Sequence, residues 1–156
     1  MSHLLIIELP GGNDTDILEA AVRMGHSFVF LTQNLGVYKS TPDVYKWVRE
    51  ATECIECSSF DFDTVSELVL NSNQSRPFDA LLCLVDIRLI EAADLAQLLG
   101  LRYLNSKSAR LLRDKFCVRE LLAEKGITQP EFLLATTNEE VCQSVDRIGL
   151  PFLIKP

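Results

Sequence analysis

The chain has 156 residues, 47% of them hydrophobic and 24% charged, with a formal net charge of −7 from 15 Lys+Arg against 22 Asp+Glu. That length suffices for one packed domain, or for one domain and the beginning of another, without a metal or disulfide staple. The acidic balance, with no basic stripe, argues against nucleic-acid binding by general phosphate attraction, and no run approaches the roughly 18 apolar residues of a membrane span. Five cysteines, an odd number set mainly among apolar neighbours, suit a reducing compartment better than a disulfide framework. The N-terminus has no basic segment, and its apolar run breaks at Glu8, too early for a signal peptide. A cytoplasmic protein is expected.

Leu4 to Leu9 is almost continuously apolar, as in a strand covered on both faces. Pro10-Gly11-Gly12-Asn13-Asp14 breaks it with turn chemistry. Ile17, Leu18, Ala21, Val22 and Met24 then recur at helical spacing up to a stop at Gly25. Ser27 to Thr32 predicts a second strand, so the opening is strand, turn, helix, strand, the start of a parallel α/β sheet. Gly11-Gly12 lacks both the three spaced glycines of a dinucleotide fingerprint and the Gly-Lys-Ser/Thr ending of a phosphate loop. It reads as a tight turn whose amides sit at the ligand-binding edge of such folds.

Residues 33–42 read as a loop and 43–51 as a short helix carrying Trp47. Glu53 to Cys57 reads as the third strand. In a strand, Cys54 and Cys57 point to opposite faces, so their spacing is not that of a metal or redox pair. Thr64-x-x-Glu67 predicts a capping box opening a helix over 65–71, with the polar run 71–75 as surface loop. Asp79 to Asp86 is the strongest strand signal and is expected at the centre of the sheet. Asp86, at its carboxyl end, could serve a ligand or cap a helix. Ile90 to Leu99 gives an apolar-faced helix closed by Gly100. Neither His3 nor His26 has a catalytic neighbour in sequence, and His26 is expected to favour a helix dipole at its C-terminal end.

The last third carries specific motifs. Leu95-Ala96-Gln97-Leu98-Leu99-Gly100-Leu101 leads into Tyr103-Leu104-Asn105, expected as a strand. Then come Asp114-Lys115-Phe116, Arg119-Glu120-Leu121-Leu122, Lys125-Gly126-Ile127 and Gln129-Pro130-Glu131-Phe132. A helix ends at Ile148-Gly149, and Leu150 to Ile154 reads as an apolar strand bearing Lys155 before Pro156. Lys155 at such an end either snorkels to water or meets an anion. Lys115, in the first turn of a helix capped by Asp114, opposes the macrodipole unless an anion binds there. If the helix instead runs unbroken from Ser108, Lys115 belongs to a solvated face.

This order and spacing resembles the ATP-grasp carboxylate ligases over roughly residues 95–156, with residues 1–94 resembling their Rossmann-like preceding domain. The resemblance implies a Rossmann-like parallel sheet with helices on both faces (residues 1–104), followed by a helical linker and the first elements of an ATP-grasp domain (105–156). It implies that Lys115 and Lys155 contact nucleotide phosphates, and that substrate lies near Gly11, Gly12 and Asp86. The whole enzyme would use ATP and Mg2+ to activate a small carboxylate as an acyl phosphate and join it to an amine or thiol. The glycine-rich loop, magnesium ligands and acyl-phosphate arginine of that family would follow Pro156. The chain by itself is therefore expected to be inactive, with no nucleotide or metal held tightly. Two alternatives stand beside this reading: a non-enzymatic ligand- or partner-binding module, dimerised through 106–156, and one half of a split ligase.

Overall fold

The computed structural model describes residues 1–155. Four parallel strands, β1 (His3–Ile7), β2 (Ser27–Thr32), β3 (Glu53–Glu56) and β4 (Ala80–Cys83), form a sheet in the order β3-β2-β1-β4. The sheet is the α/β arrangement expected. Among the described residues eight helices connect or follow the strands: α1 (Asp16–Arg23), α2 (Leu35–Lys39), α3 (Pro42–Val48), α4 (Phe62–Ser75), α5 (Leu89–Leu98), α6 (Ser106–Arg113), α7 (Lys115–Glu124) and α8 (Asn138–Ile148). Single 3-10 turns lie at Pro10–Gly12 and Asp86–Arg88.

The period-2 alternation of the strands sorts their side chains into two cores. Leu5, Ile7, Val29 and Leu31 face one cluster, closed by Val65 and Val69 of α4 and by Ala92, Leu95 and Ala96 of α5. Leu4, Ile6, Phe28 and Phe30 face the other, closed by Leu18 and Ala21 of α1, Tyr38 of α2 and Val44 and Val48 of α3. Both faces being covered explains why β1 and β2 read as unbroken apolar runs. Phe30 meets Tyr38 edge-on, with ring centroids 5.1 Å apart. Cys54 packs at the second cluster and Cys57 lies in the first, as opposite strand faces require.

The chain divides into two compact units, Met1–Ala109 and Arg110–Pro156. In the second, α7 is capped by Asp114, whose carboxylate accepts from the Cys117 amide at 2.9 Å. Helix α8 starts at a reciprocal capping box between Thr137 and Glu140. Phe116 and Phe132 meet edge-on at 5.7 Å, Arg119 lies over the Phe132 ring at 5.8 Å, and Gln129 Nε2 donates to the Arg119 carbonyl at 2.7 Å.

Several local expectations are corrected. Strand β4 is shorter than its apolar run and lies at an edge, paired only with β1; apolarity reports covered faces, not rank in the sheet. Helix α4 begins at Phe62, two residues before Thr64, because Asp61 accepts from the Thr64 amide at 3.0 Å and is the cap. It also runs through the polar segment 71–75, where Ser72 is buried and donates to Glu53 at 2.6 Å. Loop 33–42 contains α2. Residues 103–105 and 150–154 are not strands, since no strand among the described residues ladders with either. Pro156 lies outside the described residues. His26 follows α1, and its Nδ1 accepts the Ser2 amide at 3.1 Å.

Candidate functional site

The chain lays down β1, β2 and β3 outward in one direction, then returns past β1 to place β4 on its other side. The connections after β1 and β4 therefore diverge to opposite faces and open a crevice at the carboxyl edge, where open parallel sheets bind ligands.

At this edge Glu8 directly follows β1, and its φ of 47° is left-handed and costs a non-glycine residue about 1–3 kcal/mol. The conformation is held by what Glu8 bonds. Its amide donates to the Leu31 carbonyl at 2.9 Å, and its Oε1 accepts from the Gln33 amide at 3.2 Å. Its Oε2 accepts from Arg88 Nε at 2.9 Å, an ion pair whose two side chains are only 14% and 16% exposed. Arg88 Nη2 donates to Gln33 Oε1 at 3.0 Å, and the guanidinium carbon lies 3.8 Å from the Phe60 ring centroid. Gln33 Nε2 in turn donates to the Ser58 carbonyl at 3.4 Å. One arginine from the turn after β4 thus ties together the carboxyl ends of all four strands.

The same charges reach the surrounding polar groups. Burial first, then the approach of Glu8 and Glu91, pushes the Cys83 thiol up to about 11, with Val85 and Arg88 opposing. Burial likewise raises the Tyr38 hydroxyl, which accepts from the Leu9 amide at 3.3 Å, and the Cys57 thiol. None of these is a ready nucleophile. Glu91, in the first turn of α5, has a buried Oε2 with no hydrogen-bond partner.

Gly11 and Gly12 lie on the 3-10 turn directly after β1 with φ of 60° and 74°, a conformation open to glycine without strain. A Cβ on Gly11 would come within 3.2 Å of Asn13 Oδ1. Asp86 is exposed in the first turn after Val85, which holds the N-cap position; Asp86 is therefore not the cap. These three residues occupy the loops that border the crevice. Lys115 and Lys155 belong to the second unit. Lys115 is the exposed first residue of α7, so the helix does break at Asp114. Lys155 is exposed on a segment without regular structure and does not end a strand.

Sequence reading missed Glu8 and Arg88. Glu8 registered only as the break in an apolar run, and the signal it carried was a charge placed against a β1 terminus. Arg88 had none, because its partner is 80 residues away.

All five cysteines are free, and among the described residues no group of His, Cys, Asp or Glu could hold a metal ion. No helix among them is long and apolar enough to cross a membrane.

A family model described as "ATP-grasp N-terminal domain" matches residues 18–101, more than half of the chain. Formate-dependent phosphoribosylglycinamide formyltransferase of Francisella tularensis subsp. tularensis (strain SCHU S4 / Schu 4) is 27% identical over 143 residues, covering 85% of this chain and 35% of that protein. The chain thus spans about a third of the length of the curated relatives it matches. Among solved structures, an L-amino acid ligase from Bacillus licheniformis superposes with a TM-score of 0.71 at 19% identity, over 95% of this chain and 42% of that one. Phosphoribosylglycinamide synthetase from Anaerococcus prevotii gives 0.66 at 18% identity, over 96% of this chain and 35% of that one. These likenesses carry the fold.

Proposed function

The chain belongs to the ATP-grasp N-terminal domain family, and on that premise we propose that it is the N-terminal part of an ATP-dependent ligase. The observation that carries this reading is the similarity over 143 residues, covering 85% of this chain, to a formate-dependent transferase of which the chain spans 35%. The whole enzyme activates a small carboxylate, of which formate is the simplest, as an acyl phosphate and passes it to an amine or thiol. It works in the cytoplasm, without nucleic acid or membrane as partner, and a homodimer fits the exposed apolar residues of its second unit.

Residues 1–104 form the preceding domain, whose carboxyl edge, with Gly11, Gly12 and Asp86, takes part in substrate binding. Residues 105–156 begin the nucleotide-binding domain. Lys115 and Lys155 are the groups of this chain that would meet ATP phosphates; both are exposed cations, and Lys115 stands at a helix start where amide dipoles also favour an anion. ATP, when bound, supplies the phosphoryl group that makes the carboxylate a good acyl donor. The described residues hold no carboxylate set suited to Mg2+, so no metal step is assigned to them. Charge neutralisation by the two lysines is what this chain contributes to phosphoryl transfer.

The test is ADP release by the protein expressed from its full open reading frame, offered ATP, Mg2+, formate or a short carboxylic acid, and a panel of amines. ADP release that requires both a carboxylate and an amine is the expected result. Its absence with every pair, in protein shown to be folded, would refute the ligase reading.

A further inference from the structure

We propose that Arg88 is an oxyanion-binding residue at the carboxyl edge, presenting the Nη1/Nη2 end of its guanidinium to a carboxylate or phosphate group of the ligand. This rests on the reading of that edge as the substrate side and adds the chemical class of what is recognised there.

A guanidinium has five N–H donors in a planar fork. Here Nε is engaged by Glu8 and Nη2 by Gln33, while the ring of Phe60 backs one face. None of the described bonds uses Nη1. The side chain is thus fixed in plane and direction, with its terminal fork left for a planar or tetrahedral oxyanion. That bidentate match is what distinguishes arginine from lysine.

A purely structural role accounts poorly for the arrangement. Replacing a buried ion pair by apolar packing of the same volume is often neutral or stabilising, so closing the sheet edge does not require one. Nor does it require a non-glycine residue at a φ of 47°. Backbone outliers of this kind gather at ligand clamps, where surrounding bonds over-determine them. The location agrees, since Glu8 directly follows β1 and Arg88 lies in the turn after β4, the two strands that flank the topological switch. Because Glu8 neutralises Arg88, long-range attraction is weak and selection comes from geometry at hydrogen-bond distance. Carboxylate and phosphate ligands share that chemistry.

The test is a titration of the 15N-labelled 156-residue chain with sodium acetate and, separately, sodium phosphate, against sodium chloride at matched ionic strength. The Arg88 Nε–H resonance and the Gly11 and Gly12 amides are followed by NMR. A saturable shift with acetate identifies a carboxylate ligand, a shift with phosphate identifies a phosphorylated one, and both support the site. Arg88→Lys keeps the charge but loses the fork, and is expected to weaken binding roughly tenfold or more. Glu8→Gln retains an acceptor oxygen and removes the neutralising charge, and is expected to tighten it. An Arg88 resonance that moves no more with either anion than with chloride would overturn the proposal. So would equal binding by Arg88→Lys, which would mean an adventitious ion only. The readout requires no ATP, so it fails or succeeds independently of ADP release.

Discussion

Residues 1–109 and 110–156 handle apolar surface in opposite ways. All the buried hydrophobic residues of the protein's described part lie in the first unit, from Leu4 to Ala109. Among the described residues of the second, the one buried residue is Ser144, while Leu112, Ile127, Leu134, Leu150, Leu153 and Ile154 are each more than half exposed. The first unit satisfies its strands by pairing them and covers both faces. Among its described residues the second has helix caps and a few contacts of α7 with the segment around Gln129 and Phe132, which bury no hydrophobic residue fully. A self-sufficient sheet can present a fixed ligand edge by itself. The second unit, with its apolar residues exposed, has no such closed packing to fix an edge of its own.

The contrast can be broken most forcefully in the first core. Phe30→Ala removes a fully buried ring between the sheet and Tyr38, and is expected to cost about 3–5 kcal/mol. Urea denaturation followed by Trp47 fluorescence, whose indole packs against the same cluster, would register it. Leu121→Ala in the second unit, where the side chain is exposed, is expected to stay within about 0.5 kcal/mol.

A smaller but still large effect belongs to the edge cluster. Glu8→Ala leaves the Arg88 guanidinium without its carboxylate in a mostly covered setting. The loss should approach the roughly 3 kcal/mol typical of breaking a buried pair, because alanine keeps the backbone penalty that glutamate already carries at positive φ and the two cancel. Glu8→Gly isolates the two contributions, since glycine carries no backbone penalty there. Comparing the two midpoints in urea gives the strain directly.

His3 offers a titration. Burial, and then nearby Arg76, hold its imidazole below the ordinary 6.5. Its ring stacks on Phe78 at 5.1 Å and its Nδ1 lies 3.0 Å from Ser27 Oγ. As pH falls through about 6.5, the unfolded chain takes up a proton that the folded chain refuses, so stability declines with falling pH until the folded value is reached. Thermal melts of parent and His3→Gln between about pH 7.5 and 5.5 should show the slope in the parent and a flatter profile in the variant.

The smallest effect is in the second unit. Asp114→Ala removes the cap on α7 and should lower helicity there while leaving the sheet unchanged. Amide chemical shifts over 115–124 would report the loss. The Asp114 carboxyl is held below its usual range by the Cys117 amide. The cap therefore weakens as pH falls through the folded value of that carboxyl, and Asp114→Ala should abolish that pH dependence.

The sheet was legible because burial on both faces writes itself as continuous apolar sequence at β1 and β2, and because Gly25 and Gly100 mark helix ends with positive φ. The rank of β4 was not legible, since an edge strand covered on both faces has the same composition as a central one. Caps were poorly legible: the box of Thr137 and Glu140 went unread, and Asp61 took the role assigned to Thr64 because it stands at the extended residue before the helix. The edge cluster was the least visible part. Gly11, Gly12 and Asp86 could be placed beside the crevice from strand boundaries, but the pairing of Glu8 with Arg88 depends on strand order, which no local pattern records.

The most direct test of the contrast is amide hydrogen exchange of the 156-residue chain. If the first unit is a closed core and the second a set of locally capped helices, Leu5, Ile6, Val29 and Phe30 exchange only by global unfolding. Amides in the middle of α7 and α8 then exchange at least about a hundredfold faster. Equal protection across β1, β2, α7 and α8 would contradict the account, because it would require the second unit to share the stability of the sheet.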